Sequence, residues 1–315
     1  IIVGGGGAGF MTANQLRHTG YGGKITLISA DNKAPYNRPL LSKAFLAGQM
    51  DESKLILGGS NWADRNNIDL RLNQRVSEIL PNENAIIIEN NNGDNEKQSA
   101  DFLVVATGAE PKIPPFKGAD LAGVFTLRSM SDAKAIKEAS QDKQVVIVGT
   151  GFIGMEAAAA LSQAGEAASI TVIGRSARVM SNIVSQSVSN TLIKMHEEHG
   201  VNFAFGANVA DINGDKGKVT GVTLTDGNEI KADVVILGTG VAPRTDLLEQ
   251  VNDPDGVQVD NELQLRDGVY ALGDIAKATN QMGRMRIEHW RVALQHGMVT
   301  AGAILNNDNV NTLEE

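Results

Sequence analysis

An α/β fold in two units is what the 315-residue sequence predicts, and three observations predict it. Two glycine-rich turns of one design, Gly4-Gly5-Gly6-Gly7-Ala8-Gly9 and Gly149-Thr150-Gly151-Phe152-Ile153-Gly154, each follow a β-branched strand and open an apolar helix. The length exceeds one average domain of roughly 100–200 residues. Hydrophobic residues make up 42% of the chain, enough to fill two cores. Each turn has the spacing G-x-G-x-x-G. One glycine bends the chain tightly, one lets a pyrophosphate approach the backbone, and one presses helix against strand, so that the phosphates meet the N–H groups of the helix start. Two such turns imply two dinucleotides, two Rossmann-like units, and electrons passed from one nucleotide to the other.

The elements follow in order. After the first turn a helix runs from Ala8 to about His18, with Phe10, Ala13 and Leu16 on its apolar side, and the strand Lys24 to Ser29 completes a βαβ opening. The loop Ala34-Pro35-Tyr36-Asn37-Arg38-Pro39 leads to a short helix around Leu41 to Ala47, and a second short helix starts at a Ser60 cap and carries Trp62. Ile68 to Leu72, Ala85 to Glu89 and Phe102 to Val105 are strands, the last two separated by the turn Asn90-Asn91-Asn92-Gly93-Asp94. Pro111-Lys112-Ile113-Pro114-Pro115 reads as a linker, since proline favours extended chain.

A helix from Ser131 and a strand from Gln144 start the second unit. Helix Phe152 to Ala164, strand Ser169 to Ile173, helix Ser185 to His199 and strand Val201 to Phe205 repeat the logic of the first, a diverged internal duplication. A hairpin turning at Asp226-Gly227 precedes the strand Ala232 to Leu237 and Gly238-Thr239-Gly240. Val269 to Leu272 is one more strand, running into Gly273-Asp274, and a helix from His289 to about Leu305 follows.

A net charge of −9 argues against nonspecific binding to nucleic acid or to an anionic membrane. No apolar run approaches the roughly 18–20 residues of a membrane span, and no signal-peptide pattern is present. With no cysteine, the chain has no disulfide, thiolate metal site or thiol catalysis, which fits a cytoplasmic or organellar protein. Ile1 lies inside the first strand and is not methionine, so the native N-terminus is expected upstream. His196 and His199 flank two glutamates on a polar helix end, and no histidine set has metal-ligand spacing.

A dinucleotide turn calls for a ribose-handling group about 20 residues on. Asp31, after the second strand, is placed to accept from both ribose hydroxyls, and it also reads as an ordinary loop aspartate. In the second unit the corresponding strand ends in Gly174-Arg175-Ser176 with Arg178 nearby and no acid. A guanidinium there suits a 2′-phosphate and favours NADPH over NADH, although a solvated loop arginine fits the same residues.

Pro35-Tyr36-Asn37-Arg38-Pro39-Leu40-Leu41-Ser42-Lys43, Ala106-Thr107-Gly108, Val124-Phe125-Thr126-Leu127-Arg128, Gly151-Phe152-Ile153-Gly154-Met155-Glu156, Gly238-Thr239-Gly240-Val241-Ala242-Pro243, Gly273-Asp274 and Ile287-Glu288-His289-Trp290 occur in that order. As a set they resemble the two-dinucleotide flavoprotein reductases: ferredoxin reductases of Rieske-type oxygenases, putidaredoxin reductase and apoptosis-inducing-factor-like reductases. The resemblance spans essentially the whole chain. It implies a three-layer ββα architecture with an FAD domain of residues 1–113 and 238–315 and an inserted NAD(P)H domain of residues 114–237.

It further implies that Gly4, Gly6, Ala8 and Gly9 hold the FAD pyrophosphate, Asp31 the adenosine ribose and Val76 the adenine through its backbone. Arg38, Lys43 and Arg128 would contact the flavin cofactor, with Ala106, Thr107 and Gly108 at the same site. Gly273 and Asp274 would meet the ribityl and phosphate part, and Glu288, His289 and Trp290 the isoalloxazine edge. Gly149, Gly151, Phe152, Ile153, Gly154, Arg175, Arg178, Gly238 and Gly240 fall to the nicotinamide dinucleotide.

Lys43 stands where related oxidases and disulfide reductases place a redox cysteine, so electrons leaving the flavin must go to an external acceptor. Lys43 beside the flavin N5 and Glu156 from the second unit's helix are the expected catalytic pair. Glu156 also reads as a first-turn carboxylate favoured by the helix dipole. Family members continue with a small C-terminal interface domain, here expected to be absent or trimmed. The function implied is an FAD-dependent NAD(P)H reductase of a ferredoxin or Rieske-type carrier. The rivals are a reductase of monodehydroascorbate or a quinone, and an NAD(P)H-sensing interaction protein.

Overall fold

The computed structural model describes residues 1–89, 95–248, 253, 255–281 and 283–314. Six α-helices are present among them: α1 Gly7–His18, α2 Trp62–Arg65, α3 Met130–Ala139, α4 Phe152–Ala164, α5 Gln186–Glu198 and α6 Trp290–Glu314. The chain divides into two compact units, residues 1–37, 53–110 and 242–315 in the first and 38–52 and 111–241 in the second.

The first unit is built on a six-stranded sheet in the order Gln264–Arg266, Val269–Ala271, Leu103–Val105, Ile2–Val3, Ile25–Ile28, Ile68–Arg71. All neighbours pair in parallel except the first two. Ile2 lies opposite both Leu27 and Val104, so the strand before the first glycine turn is central and apolar on both faces. The antiparallel meander Arg75–Leu80, Ala85–Glu89, Asn95–Ser99 sends Val76, Ile79, Ile86 and Ile88 into one core with this sheet. Ala8, Phe10, Ala13 and Leu16 of α1 and Ala293, Ala301 and Ile304 of α6 join the same core, giving helix, parallel sheet and meander.

Two side chains brace α1. Trp62 packs on Phe10 with ring centroids 4.6 Å apart, and its Nε1 donates to Asn14 Oδ1 at 2.9 Å. The Arg17 guanidinium donates to the carbonyls of Asn66, Tyr21, Gly23 and Asn67 at 2.6–2.8 Å, tying the end of α1 to the loops below. Trp62 is 3% exposed, so Trp62→Ala is expected to cost about 3–5 kcal/mol. Urea unfolding followed by circular dichroism checks this, and an unchanged midpoint would contradict it.

The second unit repeats the plan. Its sheet runs Val201–Phe205, Ser169–Gly174, Gln144–Val148, Val234–Leu237, Val124–Phe125, all parallel. The meander Val209–Asp215, Lys218–Leu224, Glu229–Lys231 covers it through Ile212, Val219, Val222 and Leu224 against Val146, Val148 and Val235. Asp226-Gly227 makes the second hairpin turn, with Gly227 in the left-handed region at φ +87°.

Several local expectations change. α2 starts from Asn61 without a side-chain cap, so Ser60 is not its cap. Leu41–Phe45 is a π-helical turn preceded by the 3₁₀ turn Arg38–Leu40, because the backbone at Lys43 leaves helical values (φ −122°, ψ −117°). α3 starts one residue earlier than Ser131, with Ser129 and Asp132 forming a capping box. Pro111 closes a short strand, Ala109–Pro111, and α6 continues past Leu305. The asparagine-rich turn 90–94 lies outside the described residues.

Residues 38–52, placed by the sequence with the 1–113 segment, pack with the second unit. Ser42 Oγ donates to Glu156 on α4 at 2.5 Å, and Lys134 on α3 pairs with Glu52.

Candidate functional site: two glycine-capped helix starts

Four helices have assigned caps that bear on ligand binding, and they differ in kind. α3 and α5 begin with serines, Ser129 and Ser185, whose hydroxyls accept from Asp132 N and Val188 N. α1 and α4 begin at Gly6 and Gly151, with no side-chain hydrogen bond at the cap. A helix start has N–H groups that need acceptors. At α1 and α4 no side chain supplies that acceptor, and a phosphate placed there would suit both the N–H directions and the dipole.

In the first unit the turn is pressed tight. Gly4 adopts φ +118°, and a Cβ there would lie 2.2 Å from the carbonyl oxygen of Ala106; a Cβ on Gly9 would lie 2.0 Å from the carbonyl oxygen of Gly4. Gly4, Gly9 and Ala106 are thus brought together, with Ala106 N donating to Val3 O at 2.8 Å. Thr107 Oγ1 donates to Arg244 O at 3.1 Å, and Gly108 turns the chain at φ +72°. A Cβ on Gly273, at φ +76°, would touch Ala8 Cβ at 3.1 Å, which puts the Gly273–Asp274 turn against the first turn of α1. The Trp290 ring would lie 2.6 Å from a Cβ on Gly7. These close approaches leave no room for side chains at Gly4 and Gly9 and keep the turn tight against the start of α1, the geometry that a pyrophosphate-binding glycine turn requires.

Asp31 stands at the end of the second strand as expected, already held. Tyr36, buried, donates its hydroxyl to Asp31 Oδ2 at 2.8 Å, and Lys33 N donates to Oδ1 at 3.2 Å. Asn73 N donates to Asp31 O and Gln74 N to Ser29 O, both at 3.0 Å, which starts the Val76 strand beside this carboxylate.

Arg286 was not singled out in the sequence, yet it ties the remaining residues together. Its guanidinium donates to Asp274 O at 3.1 Å and Asp255 O at 3.2 Å, and pairs with Glu288 at 2.6 Å. Arg286 is two residues from Glu288, so its position beside the motif is the signal that was available. His289 is exposed and caps α6, its Nδ1 accepting from Arg291 N at 3.2 Å. His296, one of the histidines with no sequence role, accepts from Gly273 N through Nδ1 at 3.2 Å.

The second unit reproduces the tight turn. Gly149 has φ +121°, a Cβ on it would lie 2.3 Å from Gly238 O, and one on Gly154 would lie 2.0 Å from Gly149 O. At Gly151 a Cβ would meet nothing within 4 Å, so that glycine faces open space. Phe152 and Ile153, which follow it, are 54% and 38% exposed, unusual for apolar residues that open a helix. Gly240 turns at φ +94°, its carbonyl accepting from Lys112 N at 2.9 Å.

The two arginines have different fates. Arg175 is exposed at the strand end. Arg178 turns into its own loop and donates to Ser181 O at 2.6 Å and Val184 O at 3.1 Å, which anchors both terminal nitrogens of its fork to the backbone.

Lys43 and Glu156 do meet: Nζ lies 2.7 Å from Oε1, and Ser42 Oγ donates to the other carboxylate oxygen at 2.5 Å. Both oxygens of Glu156 are therefore held, one by a cation and one by a buried hydroxyl. Ser42 lies within the Pro35–Lys43 motif, but its burial is not written in the sequence. Arg38 donates to Arg128 O at 2.9 Å, so these two arginines are neighbours.

Known proteins agree with this geometry. The family model described as pyridine nucleotide-disulphide oxidoreductase matches residues 1–297. The chain is 35% identical over 310 residues to the rubredoxin-NAD(+) reductase of Pseudomonas putida, covering 96% of this chain and 79% of that one. The crystal structure of the ferredoxin reductase for the CYP199A2 system from Rhodopseudomonas palustris superposes with TM-score 0.88 at 30% identity, over 96% of this chain and 74% of that one. The reductase of the covalent putidaredoxin reductase–putidaredoxin complex superposes with TM-score 0.89 at 30% identity and the same coverage. With two glycine-capped helix starts on two ββα units, and a family model that matches residues 1–297, the chain belongs to the pyridine nucleotide-disulphide oxidoreductase family.

Proposed function

We propose that this chain is an FAD-dependent reductase that takes hydride from a nicotinamide dinucleotide and passes electrons to a small iron–sulfur carrier of ferredoxin or Rieske type. The observation that carries the proposal is the pair of bare helix starts, Gly6 before α1 and Gly151 before α4, in a chain whose other long helices of the second unit carry serine caps. FAD, when bound, supplies the conversion between the two-electron chemistry of a nicotinamide and the one-electron chemistry of an iron–sulfur centre.

The chain's own residues do the holding. The α1 start with Gly4 and Gly9 receives the FAD pyrophosphate, Asp31 the ribose, and the Gly273–Asp274 turn the linker to the flavin. The α4 start with Gly149, Gly154 and Gly238 receives the nicotinamide dinucleotide. Lys43, fixed by Glu156 and Pro39 O, is the cation we assign to hydride transfer, where a positive charge compensates electron density gained by the acceptor. Since the chain contains no cysteine, electrons have no internal thiol to reduce. The relatives named above are reductases named for rubredoxin, ferredoxin and putidaredoxin, which supports an external protein acceptor. No helix among the described residues is long and apolar enough to cross a membrane.

NADH is the reductant we assign, in place of the NADPH suggested by the strand end. The first relative named above is a rubredoxin-NAD(+) reductase, and of the two arginines near the strand end Arg178 is turned toward Ser181 O and Val184 O while Arg175 is exposed. Arg175→Ala is expected to lower kcat/KM for NADPH about tenfold, the worth of one charge-assisted hydrogen bond, and to leave NADH within about twofold. Equal losses for both would remove Arg175 from phosphate recognition.

The function itself is tested by steady-state NADH oxidation, first with ferricyanide and then with a purified ferredoxin. Rapid turnover through ferredoxin is expected. Turnover with quinones or monodehydroascorbate alone would move the chain to the small-acceptor reductases, and a long-lived reduced complex without turnover would make it a sensor.

A further inference from the structure

We propose that His296 is a positioning residue for FAD: as a neutral imidazole it holds the Gly273–Asp274 turn in the shape that receives the cofactor, and acid loosens FAD by protonating that ring. The proposal rests on the reading of the first unit as the FAD site.

Gly273 is a left-handed residue, and its N–H donates to His296 Nδ1 at 3.2 Å. The turn is clasped from two sides, since a Cβ on Gly273 would lie 3.1 Å from Ala8 Cβ on α1 and 3.8 Å from Ala293 Cβ on α6. Gly297, next to His296, is pressed on α1: a Cβ there would lie 2.7 Å from Ala8 O and 2.9 Å from Thr12 N. The backbone that carries His296 therefore cannot back away from the turn without separating the two helices. For Nδ1 to accept, the proton of the neutral ring must sit on Nε2.

Burial pushes the His296 imidazole below its ordinary range, opposed by the Asp274 carboxylate. Asp274 is the ionisable group of the turn. α1 carries none before Arg17 and His18 in its last turn, and on α6 the residues from Val292 to Asn307 carry none besides His296 itself. A proton on Nδ1 would set two donors against each other in a buried turn and remove the acceptor that holds Gly273 N. The sign follows: FAD affinity is constant where the ring is neutral, through the ordinary histidine range and above it, and falls once pH drops below that range, by at most about tenfold per pH unit for one proton.

The test measures FAD dissociation constants by flavin fluorescence quenching between neutral pH and mildly acid pH for the wild type, His296→Asn and His296→Phe. Asn offers an amide oxygen where Nδ1 stands and does not titrate. The wild type is expected to lose affinity toward acid, Asn to match it at neutral pH and stay flat, and Phe to bind about tenfold more weakly throughout. Identical curves for all three, or tighter binding at acid pH in the wild type, would overturn the proposal. The Gly273 amide proton shift in the ligand-free protein gives a second readout: it should titrate in the wild type and not in Asn, and a shift that ignores pH would overturn the hydrogen bond itself. Should that amide titrate while no variant binds FAD, the cofactor reading fails and the hydrogen bond stands, so the two failures separate.

Discussion

Gly9→Val is expected to yield a protein that cannot retain FAD. A Cβ at this position would lie 2.0 Å from the carbonyl oxygen of Gly4, a separation that real Cβ atoms do not show, and a further contact waits at Ile2 Cγ2, 3.2 Å away. The obstruction is backbone, fixed from the other side because Gly4 N donates to Ile28 O at 2.8 Å. Valine adds two methyl groups to that clash. α1 must then move off the central strand, and its first-turn N–H groups leave the positions that meet a pyrophosphate. The overpacking costs about 1–3 kcal/mol or more in the first unit, while the second unit's glycines are untouched. FAD affinity should fall at least about 100-fold, equivalent to roughly 2.7 kcal/mol. Cofactor retained through gel filtration, measured by absorbance, checks this; a variant that keeps its flavin would remove the α1 start from the site.

The matching change in the second unit separates the two nucleotides. Gly154→Val meets Gly149 O at 2.0 Å, a backbone atom held by Gly149 N to Ile173 O at 2.9 Å. FAD should stay bound and remain reducible by dithionite, while its reduction by NADH in stopped flow slows at least about 100-fold. Gly151→Ala sharpens the comparison, because a Cβ there meets nothing within 4 Å and leaves the protein fold alone. Its methyl group stands where a phosphate approaches the backbone, so KM for NADH should rise with stability unchanged. Normal NADH reduction in Gly154→Val would contradict the assignment of α4.

Much of this was legible in the sequence because the glycine turns are strictly local devices. The spacing from strand to G-x-G-x-x-G to helix fixes Gly4, Gly9, Gly149 and Gly154 without any knowledge of the rest, and α4 falls on Phe152–Ala164 as its apolar pattern predicts. The Lys43–Glu156 pair also emerges at 2.7 Å, though only the family resemblance pointed to two residues so far apart in sequence.

What the sequence hid depends on burial and on backbone acceptors. Tyr36 as a partner of Asp31 and Ser42 as the second partner of Glu156 lie inside a motif that does not reveal those contacts, and His296 as the acceptor of Gly273 N carries no motif at all. Each becomes visible only when a buried polar atom has to find a partner. Arg178 shows the reverse. A guanidinium that reads as a phosphate ligand in one dimension is drawn to two nearby carbonyls in three, because its loop doubles back between Arg178 and Val184. The short helix expected at Leu41 to Ala47 is a π-turn whose residues pack on α3 and α4, with Ser42 and Lys43 bound to Glu156 of α4.

The most direct measurement is reconstitution of the purified chain with FAD followed by anaerobic titration with NADH. The chain should carry FAD through gel filtration in a one-to-one ratio, and NADH should bleach that flavin in stoichiometric amounts. A chain that takes up no FAD, or a bound flavin that dithionite reduces and NADH does not, would contradict two nucleotide-binding helix starts serving one electron path.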